Sequence, residues 1–248
     1  MVTRETAIKD GLRAVGVDPV PDAVVGRLDE LTGLLLADAL PRGFLGPAEA
    51  DRIVSRHIVE SAALLPLLPT GTIADVGSGA GLPGLILACL RSDPVVLVEA
   101  EGKRASFLER CVRELDLLNT EVYRGRAEDL ARDGPLRDAC EGVVARALAA
   151  PVVALELCMP LCAPGGSVVL LAGPSVVEER SALAETAAQL AGELGSLQRL
   201  EIPGSEAASW AIVVRKIGAG PERFPRRPGV AARKPLVGGR TRRRDVAP

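Results

Sequence analysis

The chain has little of what most metal, membrane or base-stacking proteins need. There is one histidine, His57, and the aromatics amount to three Phe, one Tyr and one Trp. Recognition of nucleobases by extended stacking is therefore not expected, and charge and shape would have to substitute. Five cysteines (Cys89, Cys111, Cys140, Cys158 and Cys162) are odd in number and sit among apolar neighbours, which argues against a disulfide framework. Cys158 and Cys162 are one helical turn apart, but without a second close pair or further histidines no zinc site is expected, and the cysteines read as small buried hydrophobes. No apolar run approaches the roughly 20 residues that span a bilayer, and Met1–Thr6 lacks the apolar core of a signal peptide. A cytoplasmic location without membrane partner or metal is the expectation.

What is present begins with length and charge. At 248 residues the chain can bury a full hydrophobic core. Its net charge of −2 hides an asymmetry: from Arg215 to Pro248 eleven Lys/Arg face two acids, a net of +9, so residues 1–214 carry −11. A basic tail on an acidic body points to a polyanionic partner such as RNA, or to a solvated tail with none.

Periodicity divides the chain. Helical spacing runs through residues 3–15 and 21–39, with Val24, Val25, Leu28, Leu31 and Leu35 in phase, and from Pro47 to about Leu65. After Pro69-Thr70-Gly71, seven short β-rich runs appear: 73–76, 95–99, 121–123, 143–145, 167–171, 197–202 and 210–215. Helical patterns separate the first six, which implies a mostly parallel, doubly wound sheet. Only a turn-rich stretch, Pro203-Gly204-Ser205, separates the last two, so the sheet is expected to end in an antiparallel hairpin. That ending is similar to the methyltransferase variant of the Rossmann-like α/β fold. The expected organisation is an N-terminal helical region (1–69), a methyltransferase domain (70–217) and a basic tail (218–248) without regular structure.

The chemistry concentrates after the first strand, in Asp75-Val76-Gly77-Ser78-Gly79-Ala80-Gly81. Glycines at every second position let the backbone turn sharply and approach a ligand, and the following helix start offers unpaired N–H groups. Gly79-Ala80-Gly81-Leu82-Pro83-Gly84 also matches G-x-G-x-x-G, so a dinucleotide has to be considered. Asp75 argues against it, because a carboxylate two residues before the first glycine would repel a pyrophosphate. The same charge suits S-adenosylmethionine, which carries an ammonium and a sulfonium. Glu99 ends the second strand twenty residues beyond Gly79, where a carboxylate can accept from both ribose hydroxyls. Arg126-Ala127-Glu128 follows the third strand, on the adenine side, and Arg146 ends the fourth, beside the cleft where transfer would occur.

Together with Lys103-Arg104, Phe107-Leu108, Gly125-Arg126-Ala127-Glu128, Ala145-Arg146-Ala147 and Pro164-Gly165-Gly166, the glycine loop resembles the RsmG (GidB) family. Arg56-His57-Ile58 and the tail's Phe224-Pro225-Arg226-Arg227-Pro228-Gly229 are similar to segments of that family as well. The resemblance covers about residues 40–235. It implies a class I fold and methyl transfer from S-adenosylmethionine to N7 of a guanine in 16S ribosomal RNA, with the small ribosomal subunit or its RNA as partner. A monomer is a separate expectation that the resemblance does not carry. The resemblance also implies donor contacts at Gly77, Leu82, Ala127, Glu128 and Arg146, Glu99 on the ribose, and Arg146 as the residue at the transfer site, beside the loop residues Asp75, Gly79 and Gly81. Two segments depart from the family: Phe44-Leu45-Gly46 where many members have Asn-Leu-Thr, and Ala172-Gly173 where many have Lys-Gly. A small-molecule methyltransferase and a non-catalytic ribosome-binding relative remain alternatives, with a dehydrogenase more distant.

Overall fold

The structure is a computed structural model that describes residues 3–132, 134–204 and 208–237. Helices α1 (Arg4–Ala14) and α2 (Asp22–Leu34) open the chain, and α2 continues as a π-helical turn through Leu35–Ala39. Thr3 caps α1 by accepting from the Thr6 N–H, and Glu5 lies in the first turn, where the helix dipole favours a negative charge. A second helical stretch begins at Pro47 as a 3₁₀ turn, passes through a π turn at Ile53–Ile58 and ends as α3 (Val59–Ala62).

The alternation that follows is β1 (Ile73–Val76), α4 (Gly84–Leu90), β2 (Val95–Glu99), α5 (Gly102–Glu114), β3 (Thr120–Arg124), α6 (Ala127–Arg132), β4 (Cys140–Arg146), α7 (Pro151–Cys158), β5 (Cys162–Ala172), α8 (Arg180–Gln189), β6 (Gly192–Leu200) and β7 (Ser209–Lys216). These strands form one sheet in the order β3-β2-β1-β4-β5-β7-β6. β7 runs opposite to the other six strands, slotted between β5 and β6. The expected terminal hairpin is present, but its second strand lies inside the sheet and its first becomes the edge. β6 also starts at Gly192, five residues before the β-rich run that announces it.

Side-chain alternation along the strands sorts the core into two faces. Val96 and Val98 of β2 join Ala74 and Val76 against α6, α7 and α8, whereas Val95 and Leu97 face α4, α5 and the N-terminal helices. Helix α4 is covered on both sides, so Gly84 through Cys89 are all buried. A helix apolar on every side is stable only in that situation. The N-terminal helices therefore form a third layer that shares its core with the sheet.

The region after β7 differs from the sequence expectation. Over residues 218–237 the tail packs along the α6–α7 side of the sheet and includes a short helix, α9 (Val230–Arg233), while the expectation for 238–248 falls outside the described residues. Phe224 and Ala231 are buried in the larger core cluster. Arg137 donates to the Phe224 carbonyl at 2.8 Å, Arg132 donates to the Pro225 carbonyl, and Arg226 forms a two-pronged pair with buried Glu156. Composition misleads here because it counts charge and proline but not partners. Arginines of the body bond the strap's carbonyls, body carboxylates take Arg226 and the Gly229 N–H, and two apolar anchors are buried.

Candidate active site

The glycine loop leaves β1 at the C-terminal edge of the parallel strands, the edge at which open α/β sheets bind ligands. Gly77, Gly79 and Gly81 have φ values of +72°, +58° and +87°, a region that other residues enter only under strain. A Cβ on Gly77 would also stand 2.5 Å from the Leu148 side chain. Gly84 is required for a different reason: a Cβ there would meet Leu97 Cδ2 at 2.3 Å and Asp75 Oδ2 at 2.6 Å.

That second contact locates Asp75. Its carboxylate lies beneath the loop, fully buried, with Oδ2 accepting from the Gly84 N–H at 2.9 Å and thereby capping α4. Oδ1 is buried without a hydrogen-bond partner. Burial pushes the carboxyl up to about 7, against the Gly84 N–H and Ser78, which favour the charged form. An orphaned carboxylate oxygen under a glycine loop is a place where a cationic ligand would be welcome.

Glu99 is buried as well. Its Oε2 accepts from the Gly79 N–H and its Oε1 from the Glu101 N–H, both at 2.8 Å. It thus ties the loop to the end of β2 while each oxygen keeps a lone pair free. Ala127 and Glu128 are buried at the start of α6, beyond β3. Glu128 Oε1 takes the N–H of Gly229 at 3.1 Å, so the strap reaches this corner of the site. Leu82 is buried within the loop, while Arg126, Lys103 and Arg124 are exposed. Lys103, Arg124 and Arg42 line an open cleft of about 510 Å³ at the ends of β2 and β3.

Arg146 closes the opposite side. The end of β4 delivers its guanidinium into a polar cluster built from three segments. Nη2 is 2.6 Å from His57 Nδ1, and Nη1 is 3.2 Å from Glu60 Oε2. Ser209, at the start of β7, donates its hydroxyl to the Glu60 carboxylate. His57 Nε2 lies 3.0 Å from Glu49 Oε2, and Glu49 Oε1 accepts from Arg56 at 2.9 Å. Two of these contacts, His57–Glu49 and Arg146–Glu60, are close in distance but off the hydrogen-bonding direction, so Arg146 Nη1 is buried with no hydrogen-bond partner. Burial draws the Arg146 pKa down, and the charge of Glu60 opposes it.

The structure brings Asp75, the glycine loop and Glu99 together by direct bonds and places Arg146 on the neighbouring strand end. Sequence reasoning did not anticipate Glu49, Glu60 and Ser209 beside Arg146, nor Gly229 on Glu128. A signal existed for Glu60, three residues after His57 on the same helical face and among Val59, Ala62 and Leu64. A carboxylate in so apolar a run has to find a cation.

The sheet order, with one antiparallel strand inserted before the edge, and a glycine loop backed by acidic residues at the ends of β1 and β2 define a Rossmann-like methyltransferase. The chain matches the family described as rRNA small subunit methyltransferase G (GidB) over residues 27–204, and it belongs to that family. Among curated relatives, ribosomal RNA small subunit methyltransferase G of Rubrobacter xylanophilus is 37% identical over 83% of this chain and 82% of its own length. The protein of the same name from Pelotomaculum thermopropionicum is 34% identical over 92% and 97%. That from Salinispora tropica is 47% identical over a shorter stretch, 59% of this chain and 63% of the relative. Among solved structures, one described as a transferase from Pyrococcus horikoshii aligns with a TM-score of 0.51 at 12% identity, over 69% of this chain and 64% of its own. That likeness concerns the fold alone. Among the described residues no group of acidic, histidine and cysteine side chains is placed to hold a metal ion, and no helix is long and apolar enough to cross a membrane.

Proposed function

We propose that this chain transfers the methyl group of S-adenosylmethionine to N7 of a guanine in 16S ribosomal RNA. The observation that carries the reading is the convergence of the glycine loop, Glu99 and Arg146 at one sheet edge in a member of the rRNA small subunit methyltransferase G family. The donor, when bound, supplies a sulfonium-activated methyl group. Asp75 and the loop from Gly77 to Leu82 would hold its amino-acid end, Glu99 its ribose hydroxyls, and Ala127 and Glu128 its adenine.

Guanine N7 is an in-plane lone pair on the major-groove edge and needs no deprotonation before it reacts. The chain's residues then have to orient and shield rather than move a proton. Alignment of that kind can contribute roughly 7–11 kcal/mol. Arg146, with unpartnered hydrogens on a buried guanidinium, suits the acceptor edge or a nearby phosphate. The exposed cations Lys103, Arg124 and Arg126 and the strap's arginines would provide sequence-independent attraction to RNA.

Mapping N7-methylguanine in small-subunit ribosomal RNA, incubated with donor in the presence and absence of the protein, tests this directly. One new protein-dependent N7-methylguanine is the expected result. Methylation of small acceptors but not RNA, or donor binding without any transfer, would overturn it.

A further inference from the structure

The mechanism above uses Arg146 but leaves unexplained why the chain's single histidine is buried against it. His57 is 2% exposed, in the π turn that leads into α3, far in sequence from β4. A guanidinium is a donor only, so at 2.6 Å from Arg146 Nη2 the His57 Nδ1 has to be an acceptor. The ring is then the neutral tautomer protonated at Nε2, and that N–H lies 3.0 Å from Glu49 Oε2. The two contacts agree in charge: a cation bonds the bare nitrogen, and an anion stands beside the protonated one without a hydrogen bond between them.

We propose that His57 is a positioning residue for Arg146, its bare Nδ1 holding one arm of the guanidinium so that the remaining N–H groups point at the methyl-acceptor site. This rests on reading Arg146 as part of that site. The choice of residue has a physical rationale. A second carboxylate at this position could also hold Arg146, but it would put two buried negative charges, this one and Glu60, on a single guanidinium. A neutral imidazole orients the cation without adding charge.

The charged groups facing the ring are Arg146 from β4, Glu49 and Arg52 from the 3₁₀ turn, and Arg56 from its own turn. Burial and then the three arginines depress its protonation to about pH 3. His57 thereby joins the N-terminal layer to the reaction edge of the sheet. It gives residues 47–62 a role in transfer as well as in packing.

A lone histidine makes the test unusually clean, because every imidazole signal in a ¹⁵N spectrum of the intact protein belongs to His57. The wild type is expected to show one protonated and one bare ring nitrogen, unchanged from pH 8 down to pH 5. In Arg146→Ala the bare nitrogen should shift and the ring should begin to titrate at higher pH. His57→Gln keeps bulk but removes the acceptor at the Nδ1 position. It should lower kcat for RNA methylation about 100-fold, the size expected for a small misplacement of a reacting group, with KM for RNA little changed.

A ring protonated at Nδ1, a ring titrating near its ordinary value of 6.5, or a His57→Gln enzyme with wild-type kcat would each overturn the proposal. If His57→Gln does not fold, the wild-type and Arg146→Ala spectra still decide it. A titrating ring in a wild type that methylates RNA refutes this proposal alone. A wild type that transfers no methyl group refutes the reading on which it rests.

Discussion

The two sides of the candidate site are built in opposite ways. The glycine-loop side is local: Asp75 bonds Gly84, nine residues away, and Glu99 bonds Gly79 across adjacent parallel strands. The arginine side is assembled from Glu49, His57, Glu60, Arg146 and Ser209, drawn from the N-terminal layer, β4 and the start of β7. The loop side is set by backbone conformation, which glycines advertise. The arginine side is set by the need to satisfy buried charges, which any polar residue could meet if the fold brought it there. A site divided this way should respond to local perturbation on one side and to long-range perturbation on the other.

The largest expected effect challenges the division itself, because the strap reaches the loop side through the Gly229–Glu128 bond. Deleting residues 218–248 exposes the pocket of Phe224. Loss of that side chain alone is expected to cost about 3–5 kcal/mol, read as a lower denaturation midpoint. RNA affinity should also fall, with a flatter salt dependence. If donor affinity, measured by calorimetry at a temperature where the truncated protein is folded, equals that of the full chain, the loop side is local after all.

Next is Arg146→Ala, which leaves Glu60 buried beside an empty position. Breaking a buried pair from one side costs about 3–5 kcal/mol, and methyl transfer should be lost as well. Adding Glu60→Gln in the same chain should restore much of the stability but none of the activity. Recovery of activity would show that Arg146 serves packing only.

Gly84→Ala probes the loop side at a distance from any ligand. The new Cβ has to displace Leu97 or the Asp75 carboxylate, and overpacking of this kind costs about 1–3 kcal/mol. Donor affinity should drop along with stability, since the same shift breaks the Asp75–Gly84 bond. Stability loss with unchanged donor affinity would separate Asp75 from the donor site.

The smallest effect is a change of pH slope. Asp75 has a folded pKa of about 7 against an ordinary 3.8, so between those values the native state holds a proton that the unfolded chain has released. Stability from this group is full below pH 3.8 and declines as pH rises towards 7. His57 acts in the opposite sense: with a folded pKa of about 3 against 6.5, its contribution is present above 6.5 and is lost as pH falls through that window. Asp75→Asn, which can still accept from Gly84, should remove the first slope and leave the second. Urea titrations of both proteins from pH 5 to 8 should show the variant gaining stability relative to wild type as pH rises. Parallel curves would mean that Asp75 is ionised throughout.

Much of this was legible in the residues. The loop from Asp75 to Gly84 stood out because a turn with positive φ and close backbone approaches admits few residues other than glycine. Glu99 and Arg146 were placed by counting strands, since strand ends on one edge of a parallel sheet converge on one cleft. The position of β7 was not legible: a hairpin predicts that β6 and β7 pair, but which of them meets β5 depends on how the connections cross. Nor was the strap, whose proline, glycine and arginine content reads as solvated chain until Arg132, Arg137 and Glu156 are seen to bind it.

By itself, then, the sequence determined the alternation of elements, the conformation of the glycine loop and the residues at the strand ends, because these follow from period, backbone sterics and connectivity over short spans. Only the tertiary structure decided that Asp75 lies under the loop, that His57, Glu49 and Glu60 surround Arg146, and that Gly229 reaches Glu128. Those pairings satisfy buried charges and donors between segments distant in the chain, and burial exists only once the layers have closed.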